Sequence, residues 1–152
     1  MRARLLPPRL AVWLVLGLNC LGWLAWSAQG EEMKIQAVLV WATDDSKPPP
    51  GKNYQPLQID LRNRLRALKW KNYFEVRRVE FTASSAQKRI TVSPKCELDV
   101  RALGNSIVEV TLFGKGKQVA KVKGALPKNE ILVPAGDAPN ETAWLVILKR
   151  ID

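Results

Sequence analysis

The sequence predicts an α+β fold in which a single, mostly antiparallel sheet of about seven or eight strands packs against one amphipathic helix. After the N-terminal segment, leucines recur at helical spacing only in residues 57–70. From residue 73 onward, short apolar or alternating segments are separated by turn residues, which is typical of strands. Because an amphipathic helix must bury its apolar face, we expect it to pack on the sheet.

The first 30 residues are predicted to be a cleaved secretory signal peptide. Three arginines lie within the first nine residues, residues 10–26 are almost wholly apolar, and Ala28 and Gly30 stand at positions −3 and −1 of a cut before Glu31. The alternative is an uncleaved membrane anchor, because residues 10–28 are nearly long enough to span a bilayer. The cleavage pattern favours export to the periplasm or outside the cell.

Residues 31–152 are predicted to form one globular domain, which is long enough for a modest core. The first 30 residues hold three arginines and no acidic residue, so the remainder has 21 basic against 14 acidic residues, a net charge of +7. Cys96 is the only cysteine after the signal segment, which excludes an intramolecular disulfide. Its alternation with Leu98 and Val100 favours a buried thiol over a reactive one.

The first and last strands are the most apolar. Residues 35–41 become continuously apolar after a short alternation, and residues 143–148 are apolar throughout. Such segments are typical of strands that are covered on both faces, so we place them inside the sheet. The proline-rich loop at residues 43–51 connects the first strand to the helix.

The strands between the helix and the C-terminus are shorter and more polar. In residues 73–81, Phe74 and Val76 are out of phase with Val79 and Phe81, which predicts a bulge at Arg77–Arg78. The remaining predicted strands are 88–93, 96–102, 106–113, 117–123 and 131–133, with a hairpin turn at residues 114–116.

The sequence lacks the residues on which most forms of catalysis depend. The sequence contains no histidine, which excludes Ser-His and Cys-His catalysis and histidine-ligated zinc. One cysteine cannot build an iron–sulfur site. The segment 114–117 has neither the spacing nor the following helix of a phosphate-binding loop. We therefore predict no metal and no cofactor.

Asp44 and Asp45 are the best catalytic candidates. Two carboxylates can divide acid and base roles or hold a hard cation. However, adjacent residues in an extended segment tend to point apart, and aspartate is an ordinary loop residue. The sequence therefore favours a structural role in the loop over a catalytic one.

Basic residues form two groups in the sequence, and they are the predicted binding residues. One group lies on and just after the helix, and the other lies on the predicted hairpin: Arg62, Arg64, Arg66, Lys69 and Lys71, then Lys115, Lys117, Lys121 and Lys123. Such patches attract an anionic polymer, a lipid surface or a protein partner. Trp70 and Tyr73 beside the first group provide aromatic surface, but export makes nucleic acid an improbable ligand. The alternative is an ordinary solvated charged surface.

Four segments carry a resemblance to known proteins. They are residues 40–45, 69–73, 114–117 and 143–150, and with them the chain resembles a group of short, exported bacterial proteins of uncharacterised activity. The resemblance spans most of residues 35–150 and implies a location in the bacterial envelope. It implies no activity, cofactor or site residue.

The sequence favours a non-enzymatic binding or interaction domain with a basic surface. Two alternatives stay open. The first is a small hydrolase or lyase that uses Asp44 or Asp45 with a lysine or arginine. The second is an envelope assembly factor anchored by residues 10–28.

We predict that the exported protein begins at Glu31, because the cleavage pattern ends at Gly30. Intact mass spectrometry of the protein recovered from the envelope fraction measures this directly. A mass that includes residues 1–30 would contradict cleavage and favour the anchored form.

Overall fold

The computed structural model describes residues 30–137 and 143–152, and these are mainly β. The strands are β1 (Met33–Thr43), β2 (Gln55–Pro56), β3 (Asn72–Ala83), β4 (Lys88–Ser93), β5 (Cys96–Gly104), β6 (Ile107–Gly114), β7 (Lys117–Ala125), β8 (Ile131–Leu132), β9 (Ala135–Asp137) and β10 (Ala143–Arg150). The helix is α1 (Ile59–Arg64). Within the described residues, no helix is long and apolar enough to cross a membrane.

The described strands form two antiparallel sheets and α1 has only six residues, so the predicted α+β fold with a single sheet packed on one amphipathic helix is wrong. The six-stranded sheet has the order β2-β3-β1-β10-β8, with β9 also paired to β10. The four-stranded sheet has the order β4-β5-β6-β7. β4, β5 and β6 each bury apolar side chains, and six helical residues could not cover all of them. The apolar face of the six-stranded sheet covers them instead.

The larger apolar cluster lies between the two sheets, and we call it the inter-sheet core. The six-stranded sheet contributes alternate residues of β1, including Ile35 and Leu39, and the four-stranded sheet contributes Leu98, Val100 and Val110. These side chains are buried. The clean alternation of β5 follows from this packing, because only one of its faces contacts the other sheet.

The second cluster, the helix-side core, lies on the opposite face of the six-stranded sheet. Leu57, Leu61 and Leu65 pack there on residues that include Val40 and Ile147. The central strands β1 and β10 therefore have both faces covered, which accounts for their continuous apolar sequence. All buried residues of both cores lie between residues 33 and 148, so the chain from Glu31 carries both cores.

The helix is much shorter than the predicted residues 57–70. The N–H of Leu57 donates to the carbonyl of Tyr73 at 2.9 Å, which continues the β2–β3 pairing and keeps Leu57 extended. At the other end, the N–H of Leu65 bonds to the carbonyl of Arg62 at 3.1 Å, a tighter turn than an α-helix makes. Leu68 is consequently 39% exposed instead of completing the buried stripe.

The bulge in β3 lies at Val76, one residue before its predicted place at Arg77–Arg78. Leu39 pairs with Arg77 and Val40 pairs with Glu75, so Val76 has no partner in the register. The bulge changes the phase of the strand and lets both Val76 and Val79 pack against the inter-sheet core.

The two ends of the described chain meet at the β5–β6 turn. The Glu31 carboxylate accepts the backbone N–H of Ser106 at 2.7 Å and an Arg150 Nη1 hydrogen bond at 2.8 Å. The Ser106 backbone bond, followed by that of Arg150, holds the pKa of Glu31 below its ordinary value. The stabilisation by these contacts is therefore complete near neutral pH and is lost as the pH falls through the lowered pKa.

We predict that Leu61→Ala lowers the free energy of unfolding by about 3 kcal/mol, because it opens a cavity in the helix-side core. Leu68→Ala is the matched control, since it removes the same atoms from a partly exposed position, and we expect a loss of at most about 1 kcal/mol. Urea unfolding of both variants measures the difference. Equal losses would contradict the early end of the helix.

Candidate functional site

An open cleft lies between α1 and the start of β3. Its volume is about 350 Å³, and the lining side chains combine positive charge, one amide and two aromatic rings: Arg62, Asn63, Arg66, Trp70, Lys71 and Tyr73. The short helix presents its leucine face to the sheet and its polar face to solvent. The cleft therefore lies on the polar side of the segment and has a charged, accessible wall.

The basic residues of this segment do not all reach the cleft. Arg64 turns away and forms an ion pair with Glu130 at 3.4 Å. The ammonium of Lys69 lies 4.5 Å from the ring centroid of Trp70, a cation–π contact. Of the five predicted basic residues here, Arg62, Arg66 and Lys71 line the cleft.

The charge on the cleft wall is largely uncompensated. Among the described ranges, no carboxylate forms an ion pair with Arg62, Arg66 or Lys71. The Asp44 carboxylate accepts the backbone N–H of Lys71 at 3.1 Å. Three cations without an ion-pair partner among these ranges make the site positive.

Two contacts order the cleft. The Arg66 guanidinium donates from Nη2 to the side-chain oxygen of Asn63 at 2.9 Å, and the Tyr73 hydroxyl donates to the carbonyl of Leu65 at 3.3 Å. Burial raises the pKa of Tyr73, so its hydroxyl keeps its proton at neutral pH. Sequence reasoning missed Asn63, although its three-residue spacing from Arg66 is the spacing of helical neighbours.

The hairpin lysines lie elsewhere. Lys115 occupies the β6–β7 turn, Lys117 begins β7, and Lys121 and Lys123 are exposed on that strand. β7 belongs to the four-stranded sheet, whereas α1 covers the face of the six-stranded sheet that points away from it. The structure therefore does not combine the two basic groups into one surface.

Asp44 and Asp45 both have structural contacts in the turn after β1. Asp44 accepts the Lys71 N–H, which joins the turn to the segment before β3. The backbone N–H of Asp45 donates to the Thr43 hydroxyl oxygen at 3.2 Å, and that hydroxyl donates to the Asp45 carboxylate at 3.4 Å. Within the described residues, no group of three or more acidic or cysteine side chains could hold a metal ion.

Trp41 and Trp144 are paired across β1 and β10. Their ring centroids are 4.6 Å apart with an interplanar angle of 70°, an edge-to-face contact. A flat stacking platform would need rings that are closer to coplanar. Packing between strands accounts for this pair better than ligand stacking does.

Cys96 is a buried free cysteine. Burial, with a contribution from the Glu97 carboxylate, raises the pKa of its thiol from 9.0 to about 11. A raised pKa disfavours the thiolate, which is the nucleophilic form. The buried state accords with the alternation of β5 and gives Cys96 a packing role.

Comparison with models of protein families, with curated proteins and with solved structures found no match. No residue role can therefore be transferred to this chain from a relative. The contacts of Arg62, Arg66, Lys71 and Trp70 are the observations from which we infer a function.

We predict that Cys96 in the folded protein reacts slowly with a thiol reagent at neutral pH. The raised pKa alone lowers the thiolate fraction roughly a hundredfold, and burial restricts access further. The rate of reaction with an aromatic disulfide, measured before and after unfolding in urea, checks this. A folded rate equal to the unfolded rate would show that the thiol is accessible.

Proposed function

We propose that this protein is an exported, non-enzymatic binding domain that holds an anionic partner in the cleft between α1 and β3. The observation that carries the proposal is the convergence of Arg62, Arg66 and Lys71 on one open cleft without carboxylate partners in the described part of the chain. Unpaired cations that converge on one concave site attract an anion, because their positive potentials add there.

The cleft suits oxyanions such as phosphate, sulfate or carboxylate. A guanidinium presents several N–H donors in a planar fork that matches two oxygens of such a group. The Asn63 side chain holds the Arg66 fork in place before a ligand arrives, which reduces the entropy lost on binding. Trp70 and Tyr73 supply apolar surface beside the charges.

The hairpin lysines have another explanation. β7 is an edge strand, and lysines on edge strands discourage pairing with other chains. Lys121 also forms an ion pair with Glu109 at 3.5 Å. We therefore assign binding to the cleft and solubility to the hairpin.

A hydrolase or lyase that uses Asp44 or Asp45 is the alternative from another class. Asp44 lies near the cleft through its bond to the N–H of Lys71, which is the observation in its favour. Both aspartates, however, have structural partners: Asp45 in the turn itself and Asp44 at the Lys71 N–H. Replacing both by asparagine keeps a hydrogen-bond acceptor at each position, so a binding domain keeps its affinity whereas an enzyme loses turnover.

The proposed location is the periplasm or the exterior of the cell. It is supported by the order of charges, apolar residues and small residues in residues 1–30. The predicted signal is residues 1–30 and the alternative anchor is residues 10–28; residues 1–29 lie outside the described residues.

We predict that the double variant Arg62→Gln, Arg66→Gln binds inorganic polyphosphate about tenfold or more weakly than the unchanged protein, because it loses charged donors in the cleft. Isothermal titration calorimetry at low salt measures the affinity. The matched control is Lys117→Gln, Lys123→Gln, which removes the same net charge from the hairpin.

We expect the control to bind nearly as well as the unchanged protein, and we expect added salt to weaken binding, since exposed charges are screened. Equal losses in the two double variants would show that polyphosphate responds to net charge alone. That result would overturn the assignment of binding to the cleft.

A further inference from the structure

Two large apolar side chains lie exposed on the basic segment itself. Ile59, at the start of α1, is 68% exposed, and Leu68, just beyond the helix, is 39% exposed. The three leucines of the helix-side core already fill the face that contacts the sheet. Ile59 and Leu68 are therefore surplus to the core, and their apolar surface is available to a partner.

Ile59 shares a face with the cleft residues. Ile59 and Asn63 are one helical turn apart in α1, on the side opposite Leu61, and the Asn63 side chain accepts a hydrogen bond from Arg66 just beyond the helix. Arg62 adjoins the same side and lines the cleft with Asn63 and Arg66. The exposed surface thus combines the apolar side chain of Ile59 with the cations and the Trp70 ring of the cleft.

This combination is typical of segments that lie in the interface of a bilayer. Cations contact the phosphates of anionic lipids, while apolar side chains enter the boundary between headgroups and acyl chains. Tryptophan is also favoured at this depth, and Trp70 lines the same cleft. A soluble polyanion would satisfy the cations but would leave Ile59 in water.

We propose that this face docks on an anionic lipid bilayer, with Arg62, Arg66 and Lys71 contacting lipid phosphates while Ile59 and Trp70 enter the interface. The proposal rests on the anion-binding function of the cleft and names the partner of that site. The argument for a bilayer is the charge complementarity together with the exposed Ile59 side chain beside the cleft.

The acidic residues near this face have cationic partners. The Asp60 carboxylate lies 3.8 Å from the Lys149 ammonium, and Glu130 pairs with Arg64. Asp44 is the exception, since its contact is the backbone N–H of Lys71. The paired carboxylates repel a lipid phosphate less than free ones would, so the face keeps a net attraction for anionic headgroups.

The test uses the chain from Glu31, which retains both apolar cores and lacks the apolar N-terminal segment that could itself bind lipid. Co-sedimentation is measured with vesicles of phosphatidylcholine and phosphatidylglycerol, and with vesicles of phosphatidylcholine alone. We expect binding to the anionic vesicles only. Equal binding to both kinds of vesicle would overturn the role of the cations.

The variant Ile59→Asn tests insertion. We expect it to weaken partition to anionic vesicles roughly fivefold, because an apolar side chain no longer leaves water, while polyphosphate affinity stays unchanged. Val119→Asn is the matched control, since Val119 is 49% exposed on β7, away from this face, and we expect no effect. Ile59→Trp should strengthen partition to anionic vesicles while polyphosphate affinity stays unchanged, which shows that the variant is still folded.

Tryptophan fluorescence tests whether this face of the protein contacts the lipid. In residues 31–152 the tryptophans are Trp41, Trp70 and Trp144, so Trp41→Phe, Trp144→Phe leaves Trp70 alone. Lipids brominated near the headgroup end of the acyl chain should quench its fluorescence in the bound protein. Bound protein without quenching would contradict this orientation.

The outcomes separate this proposal from the function on which it rests. If Ile59→Asn binds vesicles like the unchanged protein, or if polyphosphate binds but vesicles do not, lipid docking is overturned and anion binding stands. If polyphosphate does not bind either, the anion-binding function fails as well.

Discussion

The antiparallel pairing of β1 with β10 is the interaction on which the rest of the structure depends. Ile35 pairs with Arg150 and Ala42 pairs with Ala143, so the two strands align along almost their whole length. Each strand then sends alternate side chains to two different cores. One set holds the four-stranded sheet in place, and the other holds the segment around α1. Loss of this pairing would separate all three layers.

The cleft follows from the second of these layers. A short segment packs on the sheet through Leu57, Leu61 and Leu65. This packing determines which side chains of the segment face solvent. The bond between the N–H of Leu57 and the carbonyl of Tyr73 brings the two ends of the segment together. A positively charged, concave surface results because the polar side of the segment is folded back beside the start of β3.

The strands were more predictable than the helix, for a physical reason. The alternation in β5 shows that one face of the strand is covered, and the continuous apolar sequence of β1 shows that both faces are covered. Such patterns can be recognised from residues that are adjacent in the sequence. The leucines of residues 57–70 predicted one long helix, but the end of α1 is set by contacts from outside the segment. The Tyr73 hydroxyl, for example, bonds to the carbonyl of Leu65 and caps the chain where it leaves the helix.

The sequence by itself determined the positions of the longer strands, though not of the short β2 and β9, as well as the basic composition and the absence of histidine-based chemistry. Only the tertiary structure decided that the strands divide into two sheets and that Arg62, Arg66 and Lys71 converge while Arg64 and the hairpin lysines do not. Local patterns record which side of a strand or helix is apolar. They do not record which distant segment covers that side, and the layer order that separates the two basic groups depends on those distant contacts.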